Sequence, residues 1–364
     1  MITVNKGRIL IYRLFDVALE IDLARIEESA KEGTRRLKFS KQPFMKALEF
    51  ANPPVALELP SLKKGYFGSD TIVNVIAKAF DFGVLSIMFE VPVPSGASMS
   101  ELERTVRDLD NDKTIDVDAR EYVVGLMETL GPAIIGPEIK EGFVEDYTVI
   151  YVEEFAEGLK APELLDQYDL SRLLLYESRE LSRFTREETL RNSFSYYPDD
   201  LIIIHVDNAF IIDPSGSFDL PDILEFANAQ IFELRYYDRV IDKELQWIYR
   251  QISSRRGVSF SRLRDYERLS RRLVRTVTDI TEVTEKVNNS LKVTEDIYYA
   301  RIYRTSMSVL RSKDWETSIR DKLQTVMNTY NMIHDEISIR RAYLIELGIL
   351  ILIALEMVLA FYVR

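Results

Sequence analysis

The chain contains no cysteine and only two histidines, His205 and His334, among its 364 residues. The first absence excludes disulfides, thiolate metal sites and cysteine nucleophiles. The second leaves too few imidazoles for a histidine-built metal centre and disfavours a Ser-His-Asp hydrolase. The start, Met1-Ile2-Thr3-Val4-Asn5-Lys6-Gly7-Arg8, has neither the apolar core of a signal peptide nor the arginine-rich, acid-poor character of a transit segment. A phosphate loop is missing as well. Gly131 and Gly136 are not followed by Gly-Lys-Ser/Thr, and no dinucleotide fingerprint or nucleophile elbow occurs. Basic residues are outnumbered 47 to 59, and the net charge of −12 argues against a general nucleic-acid coat. A local basic stripe can still bind a polyanion on such a chain.

What is present divides the chain in two. An apolar content of 46% supports one large or two ordinary cores. Residues 1–219 read as strands mixed with short helices, and residues 220–362 as almost uninterrupted helix, with a boundary at Asp213-Pro214-Ser215-Gly216-Ser217. In the first part the patterning predicts strands over 8–15 and 55–59, a short helix over 22–30, and a hairpin of 72–80 with 84–91 about Asp81-Phe82-Gly83. Helices follow at 98–109 and 116–129. The order then partly recurs, with a strand over 147–153, helices near 161–176 and 186–192, and a hairpin of 201–206 with 209–212. The fold class is α+β, either a duplicated ferredoxin-like unit or two unrelated halves.

Residues 222–252 have helical apolar spacing with no breaker until Ser253-Ser254-Arg255-Arg256-Gly257. Leu273, Val277, Ile280, Val287, Leu291, Tyr298, Ile302 and Val309 then step mostly by three, four or seven, a coiled-coil stripe. After a break near Ser312-Lys313-Asp314 the rhythm resumes at Trp315, Ile319, Leu323, Val326, Tyr330, Ile333 and Ile337. The expectation is an antiparallel helical stalk over 220–340 that leads into an anchor over 341–364. Such pairing would drive residues 255–275 into lipid unless the helix breaks, and Asn288-Asn289-Ser290 is the weakest helical stretch available. The same triplet is a sequon that would face the cytosol and stay unmodified.

From 342 to 363 the 22 residues cover about 33 Å as a helix, enough for a hydrocarbon core of roughly 30 Å. Arg340 and Arg341 precede this run and only Arg364 follows it, so the positive-inside rule places the N-terminal part in the cytosol. The run carries Glu346 and Glu356, ten residues apart and about 80° apart around a helix. A carboxylate at membrane depth costs on the order of 2.5–3.5 kcal/mol. Glu356 is therefore expected in a helix–helix interface of a homo-oligomer and Glu346 beside Arg341; the alternative is that both snorkel to the surface.

Two further clusters bear chemistry. Arg255, Arg256, Arg262, Arg264, Arg268, Arg271, Arg272 and Arg275 stand against only Asp265 and Glu267, and those from Arg264 onward recur at helical spacing. That face suits anionic lipid headgroups, a structured RNA, or the chain's own acidic helices. Asp110, Asp112, Thr114, Asp116, Asp118 and Glu121 have the oxygen spacing of a calcium loop, but Ile115 stands where that loop needs glycine. An acidic linker capping a helix is the competing reading. His205, in the apolar run 201–206, reads as a core histidine.

The segments Arg341-Ala342, Ile345-Glu346-Leu347 and Ile349-Leu350-Ile351-Leu352-Ile353-Ala354-Leu355-Glu356-Met357-Val358 resemble the tail of the Required-for-Meiotic-nuclear-Division family, both glutamates in register. Phe226-Ala227-Asn228-Ala229-Gln230, Leu234 and Tyr236-Tyr237-Asp238 are similar to that family's first long helix, with Ile231 where it has serine and Asp238 where it has glutamate. The resemblance implies an integral membrane protein of an α+β domain plus coiled coil, with no established catalytic residue and no cofactor. It points to a bacterial inner-membrane tether serving translation machinery or another assembly. Read this way, the chain is a non-enzymatic, oligomeric scaffold. The rivals are a polyanion-binding adaptor and a sensor or enzyme with its pocket in 1–219.

Overall fold

The computed structural model describes residues 2–29, 36–37, 48–50, 52–140, 142–253, 261–289, 291–293 and 296–362. The chain divides into two compact units, Met1–Glu233 with Lys286–Lys313, and Leu234–Glu285 with Asp314–Arg364.

The first unit is built on a mixed sheet. Its first half contains β1 (Thr3–Asp16), β2 (Glu20–Ile21), α1 (Leu23–Ser29), β3 (Arg36–Leu37), β4 (Leu48–Phe50), β5 (Val55–Tyr66), β6 (Ser69–Ala79), β7 (Val84–Val93), β8 (Ala97–Ser98), α2 (Met99–Asp110) and α3 (Lys113–Thr129). Its second half contains β9 (Ile134–Ile135), β10 (Val144–Phe155), α4 (Ala161–Gln167), α5 (Leu170–Leu174), α6 (Arg183–Thr189), β11 (Ser193–Phe194), β12 (Leu201–Ile204) and β13 (Asn208–Ile212). The main sheet runs β11-β12-β13-β10-β1-β7-β6-β5-β3, with β8 added to the end of β1.

β1 is central because its run Ile9 to Phe15 is buried throughout and, apart from Arg13, apolar on both faces, as a strand covered on both sides must be. It pairs antiparallel with β7 on one side and β10 on the other, Leu10 opposite both Glu90 and Val149. One sheet face carries Ile9, Ile11, Val75, Ile87 and Ile150 into a core with Leu102, Val106, Ile115, Val123, Leu164 and Leu173 of the short helices. The other face meets the start of α7 (Asp219–Ser253), where Phe226 packs 5.9 Å from Phe80 and Phe232 stacks 4.6 Å from Phe143. The first unit thus takes in residues up to 233, beyond the expected boundary at 219, because this part of α7 covers the sheet.

The predicted strands and hairpins are found with three differences. β5 does not stop before Pro60: a bulge between Leu59 and Leu62 absorbs the missing amide, and the strand continues to a turn at Phe67-Gly68, both at positive φ. The predicted helix over 161–176 is two helices, since Tyr168 is extended and Asp169 caps a new one at Ser171. The two halves also differ in pairing. β1 is antiparallel to β7 of its half, whereas β10 is parallel to β13, so the recurring element order does not extend to equivalent strand pairing.

The second unit is helical. It comprises the remainder of α7, most of α8 (Ser261–Asn289), and α10 (Ser312–Tyr362) from Asp314 onward. Ile319, Val326, Ile333 and Ile337 of α10 are buried at steps of seven, seven and four, with Ile241, Ile248, Leu269, Leu273 and Ile280 also buried. Ion pairs join each pair of helices: Glu244 with Arg272 at 2.7 Å, Asp238 and Asp242 with Lys322 at 2.8 and 2.7 Å, and Glu267 with Arg341.

The helix break expected near Asn288 is present: α8 ends at Asn289, β14 (Leu291–Val293) pairs with β4, and α9 (Ile297–Val309) follows. The stripe predicted to run from Leu273 to Val309 is therefore divided: Leu273, Val277 and Ile280 lie on α8 in the second unit, whereas Val287 at the end of α8, Leu291 in β14, and Tyr298, Ile302 and Val309 on α9 belong to the first. The turn before α10 is at Arg311, with φ +58°. The predicted breaker residues 254–257 and the sequon serine, Ser290, lie outside the described residues.

Candidate ligand cleft on the sheet

Strand alternation sends Asn74, Ile76 and Lys78 of β6 to the sheet face opposite the main core, beside Met88 and Glu90 of β7, Glu58 of β5 and Arg8 of β1. With Phe218 and Asp222 at the entry to α7, these side chains enclose a cleft of about 540 Å³, which Ala56 also lines. That volume falls in the range of small-molecule sites.

The polar groups of the cleft form two clusters. Arg8 donates to Glu90 at 2.9 Å and to Glu153, and its guanidinium lies 5.1 Å from the centre of the Phe218 ring and 5.7 Å from that of Tyr151. Lys6 also pairs with Glu153. Lys78 is buried and donates to Asp222 at 2.5 Å and to Glu225 at 2.6 Å. Burial would push the lysine down, but the charges of Asp222 and Glu225 outweigh it and hold Lys78 above its ordinary value. Asp222 is pushed up to about 6 by burial, which Lys78 opposes and the neighbouring Glu225 charge reinforces. One ammonium shared by two carboxylates leaves a surplus negative charge, and burial keeps water from screening it. Asn74 reaches Glu90 at 3.4 Å and accepts from Ser61 at 3.3 Å. Glu58 is exposed on the same face and makes no hydrogen bond or ion pair among the described residues.

A second buried acidic pair lies near the other end of β1. The Asp16 carboxyl is pushed up to about 7 by burial, against the pull of Lys140 and a hydrogen bond from the Ala18 amide. Glu233 is raised well above the carboxylate range by burial and then by the charge of Asp16.

The predicted site residues are placed as follows. The calcium spacing is not a loop. Asp110 ends α2, Asp112 caps α3 by accepting from the Thr114 amide at 2.9 Å, and Asp116, Asp118 and Glu121 ride on α3. Helical geometry turns these oxygens to different sides, where Asp116 pairs with Arg13 at 2.6 Å, Asp118 with Lys64 at 2.5 Å, and Asp112 accepts from the Tyr66 hydroxyl at 3.0 Å. Among the described residues no group of three or more His, Cys, Asp or Glu side chains converges as a metal site would require.

Arg272 is engaged in a fork with Glu244 and lies 3.9 Å over the Trp247 ring, so it holds the helices together. Arg268, Arg271 and Arg275 are exposed on α8, while Arg255 and Arg256 and the side chains of Arg262 and Arg264 lie outside the described residues. Arg341 pairs with Glu267 and not with Glu346, and Arg340 pairs with Glu336 at 2.6 Å. Glu346 and Glu356 are exposed on α10. His205 is half-buried at the end of β12; burial lowers its pKa against Asp207, and its Nδ1 has no partner among the described residues.

Sequence reasoning missed the cleft. The available signal was a lysine and an asparagine in an alternating strand whose other face is apolar, but an alternating strand with polar residues outward is also the ordinary pattern of an edge exposed to water.

Fold and site together define a mixed sheet domain with a small-molecule-sized cleft, joined to a helical unit whose last helix is apolar. The chain belongs to the family described as "Uncharacterized protein MJ0711, N-terminal domain", whose model matches residues 6–219. It is 25% identical over 222 residues to "Uncharacterized protein MJ0711" of Methanocaldococcus jannaschii, a match covering 60% of this chain and 66% of that protein. No solved structure matches. The matched residues end where α7 begins, so they cover the sheet and not the tail that resembles the Required-for-Meiotic-nuclear-Division family.

Proposed function

We propose that the protein is a membrane-anchored scaffold that holds its sheet domain at the cytosolic face of a cell's inner membrane. The observation that carries this reading is the two-part character of α10, one unbroken helix of 51 residues. Its first half buries Ile319, Val326, Ile333 and Ile337, whereas its apolar continuation is long enough to cross a bilayer and none of it is buried. A run of Leu, Ile and Val with no protein cover is costly in water, at about 25 cal/mol per Å² of apolar surface, and is accommodated in lipid. A carboxylate in that run favours a partner helix, so Glu356 supports self-association through the membrane, with the heptad-spaced helices adding a coiled coil.

The mass of the full chain in lipid nanodiscs tests this. The scaffold reading expects a defined oligomer that Glu356→Leu dissociates. A monomer in both forms removes self-association and leaves only a tether. Translation machinery or another assembly is the proposed client, to be sought by crosslinking from the sheet domain.

A second reading is favoured by the ion pair of Glu267 with Arg341, which brings α8 beside the first residues of the apolar run. At ~1.5 Å per residue, Ser261 extends about 9 Å beyond that level, and Arg268 sits next to it. In this reading the arginine face of α8 rests on anionic headgroups, each basic residue contributing ~1 kcal/mol. RNA is the competing polyanion. Binding that falls with salt on vesicles containing phosphatidylglycerol, and is lost when Arg268, Arg271 and Arg275 are neutralised, supports it; equal binding to neutral vesicles rules it out.

A further inference from the structure

We propose that the cleft on the sheet is a binding site for an organic cation, a small amine with an apolar body. The cleft holds negative charge that its own cations do not match. Of the charged side chains lining the cleft, Arg8 and Lys78 are cationic and Glu58, Glu90 and Asp222 are anionic. Both cations are saturated: Arg8 lies between Glu90 and Glu153, and Lys78 between Asp222 and Glu225. An incoming carboxylate or phosphate would have to displace one of these acids and would meet the field of the others. An ammonium group meets the opposite situation. Glu58 has no partner among the described residues, and the Lys78 cluster carries more acid than base.

Geometry places the charge at the two sides of an apolar floor. Glu58 faces Ile76 across the β5–β6 ladder, Ile76 faces Met88 across the β6–β7 ladder, and Glu90 follows Met88 on the same face. Two strands of ~4.8 Å and two residues of ~3.3 Å separate Glu58 from Glu90, about 12 Å along the floor. Ile76 and Met88 lie between them and Phe218 beside them, so an apolar body rests on the floor while its ammonium group reaches Glu58. This inference is independent of the membrane reading.

The test uses the full chain in nanodiscs of zwitterionic lipid, titrated with tryptamine and with indole-3-propionate, which share a ring and carry opposite charge. Binding of tryptamine and not of indole-3-propionate is expected, and Glu58→Gln should weaken it about tenfold, the size of one charge-assisted hydrogen bond. Because Glu58 is exposed and has no partner among the described residues, the variant retains the wild-type melting temperature. Glu58→Lys should reverse the preference in favour of indole-3-propionate. No tryptamine binding, equal binding of the two probes, or tryptamine binding unchanged in Glu58→Gln would each overturn the proposal.

Discussion

Lys78 is the shared cation of a buried ion-pair cluster in the sheet domain. Its ammonium is buried between Asp222 and Glu225, so removing it leaves two largely buried carboxylates without their shared counter-ion. Lys78→Met is expected to destabilise the domain by about 3–5 kcal/mol, read from the denaturant midpoint, and adding Asp222→Asn and Glu225→Gln to recover much of the loss. A second residue-scale expectation concerns pH. The Asp16 carboxyl, raised to about 7, keeps a proton in the folded chain that the unfolded chain has lost. Stability from this group is therefore full below the unfolded value of about 4 and is lost as pH rises toward 7; Asp222, at about 6, has the same sign. The melting temperature should fall as pH rises across this window, and Asp16→Asn should flatten the slope. A melting temperature that rises with pH would contradict both assignments.

At the scale of elements, the hairpin about Asp81-Phe82-Gly83 was legible because a turn residue separates two strands of strong alternation. Gly83 has φ +99°, and a Cβ there would sit 2.1 Å from the Ala18 carbonyl oxygen, so Gly83→Ala should cost roughly 2–4 kcal/mol. Unchanged thermal stability in that variant would show that Ala18 and this turn are not packed as described. The break after Asn289 was also legible, from a run of poor helix formers set against the length of the helix pair. Other features were not. Pro60 reads as a strand end, and only the bulge opposite Val73 and Val75 shows why β5 continues to Tyr66. The acidic spacing from Asp110 to Glu121 fits a calcium loop as well as a helix start; Asp112 capping α3 decides between them, and that contact is not visible as a spacing. In the helical unit, Val326 is buried in the heptad stripe, so Val326→Asp should unfold this unit by leaving a carboxylate unpaired, read as lost helical circular dichroism.

For the whole molecule, the division into a sheet part and a helical part was legible from the change of hydrophobic period. The assignment of α9 and the start of α7 to the sheet unit was not, because their apolar faces have the same period as the stalk helices and only the partner they cover differs. The cleft was hidden for a related reason: its residues come from four strands and the entry to α7, and no local run contains more than four of them.

Alkaline carbonate extraction of membranes from cells expressing the full chain distinguishes an α10 that enters a bilayer from one that stays in water. With α10 in the bilayer the protein stays in the pellet, and a chain truncated after Ile339 is released to the supernatant. Release of the full chain by carbonate would contradict that placement.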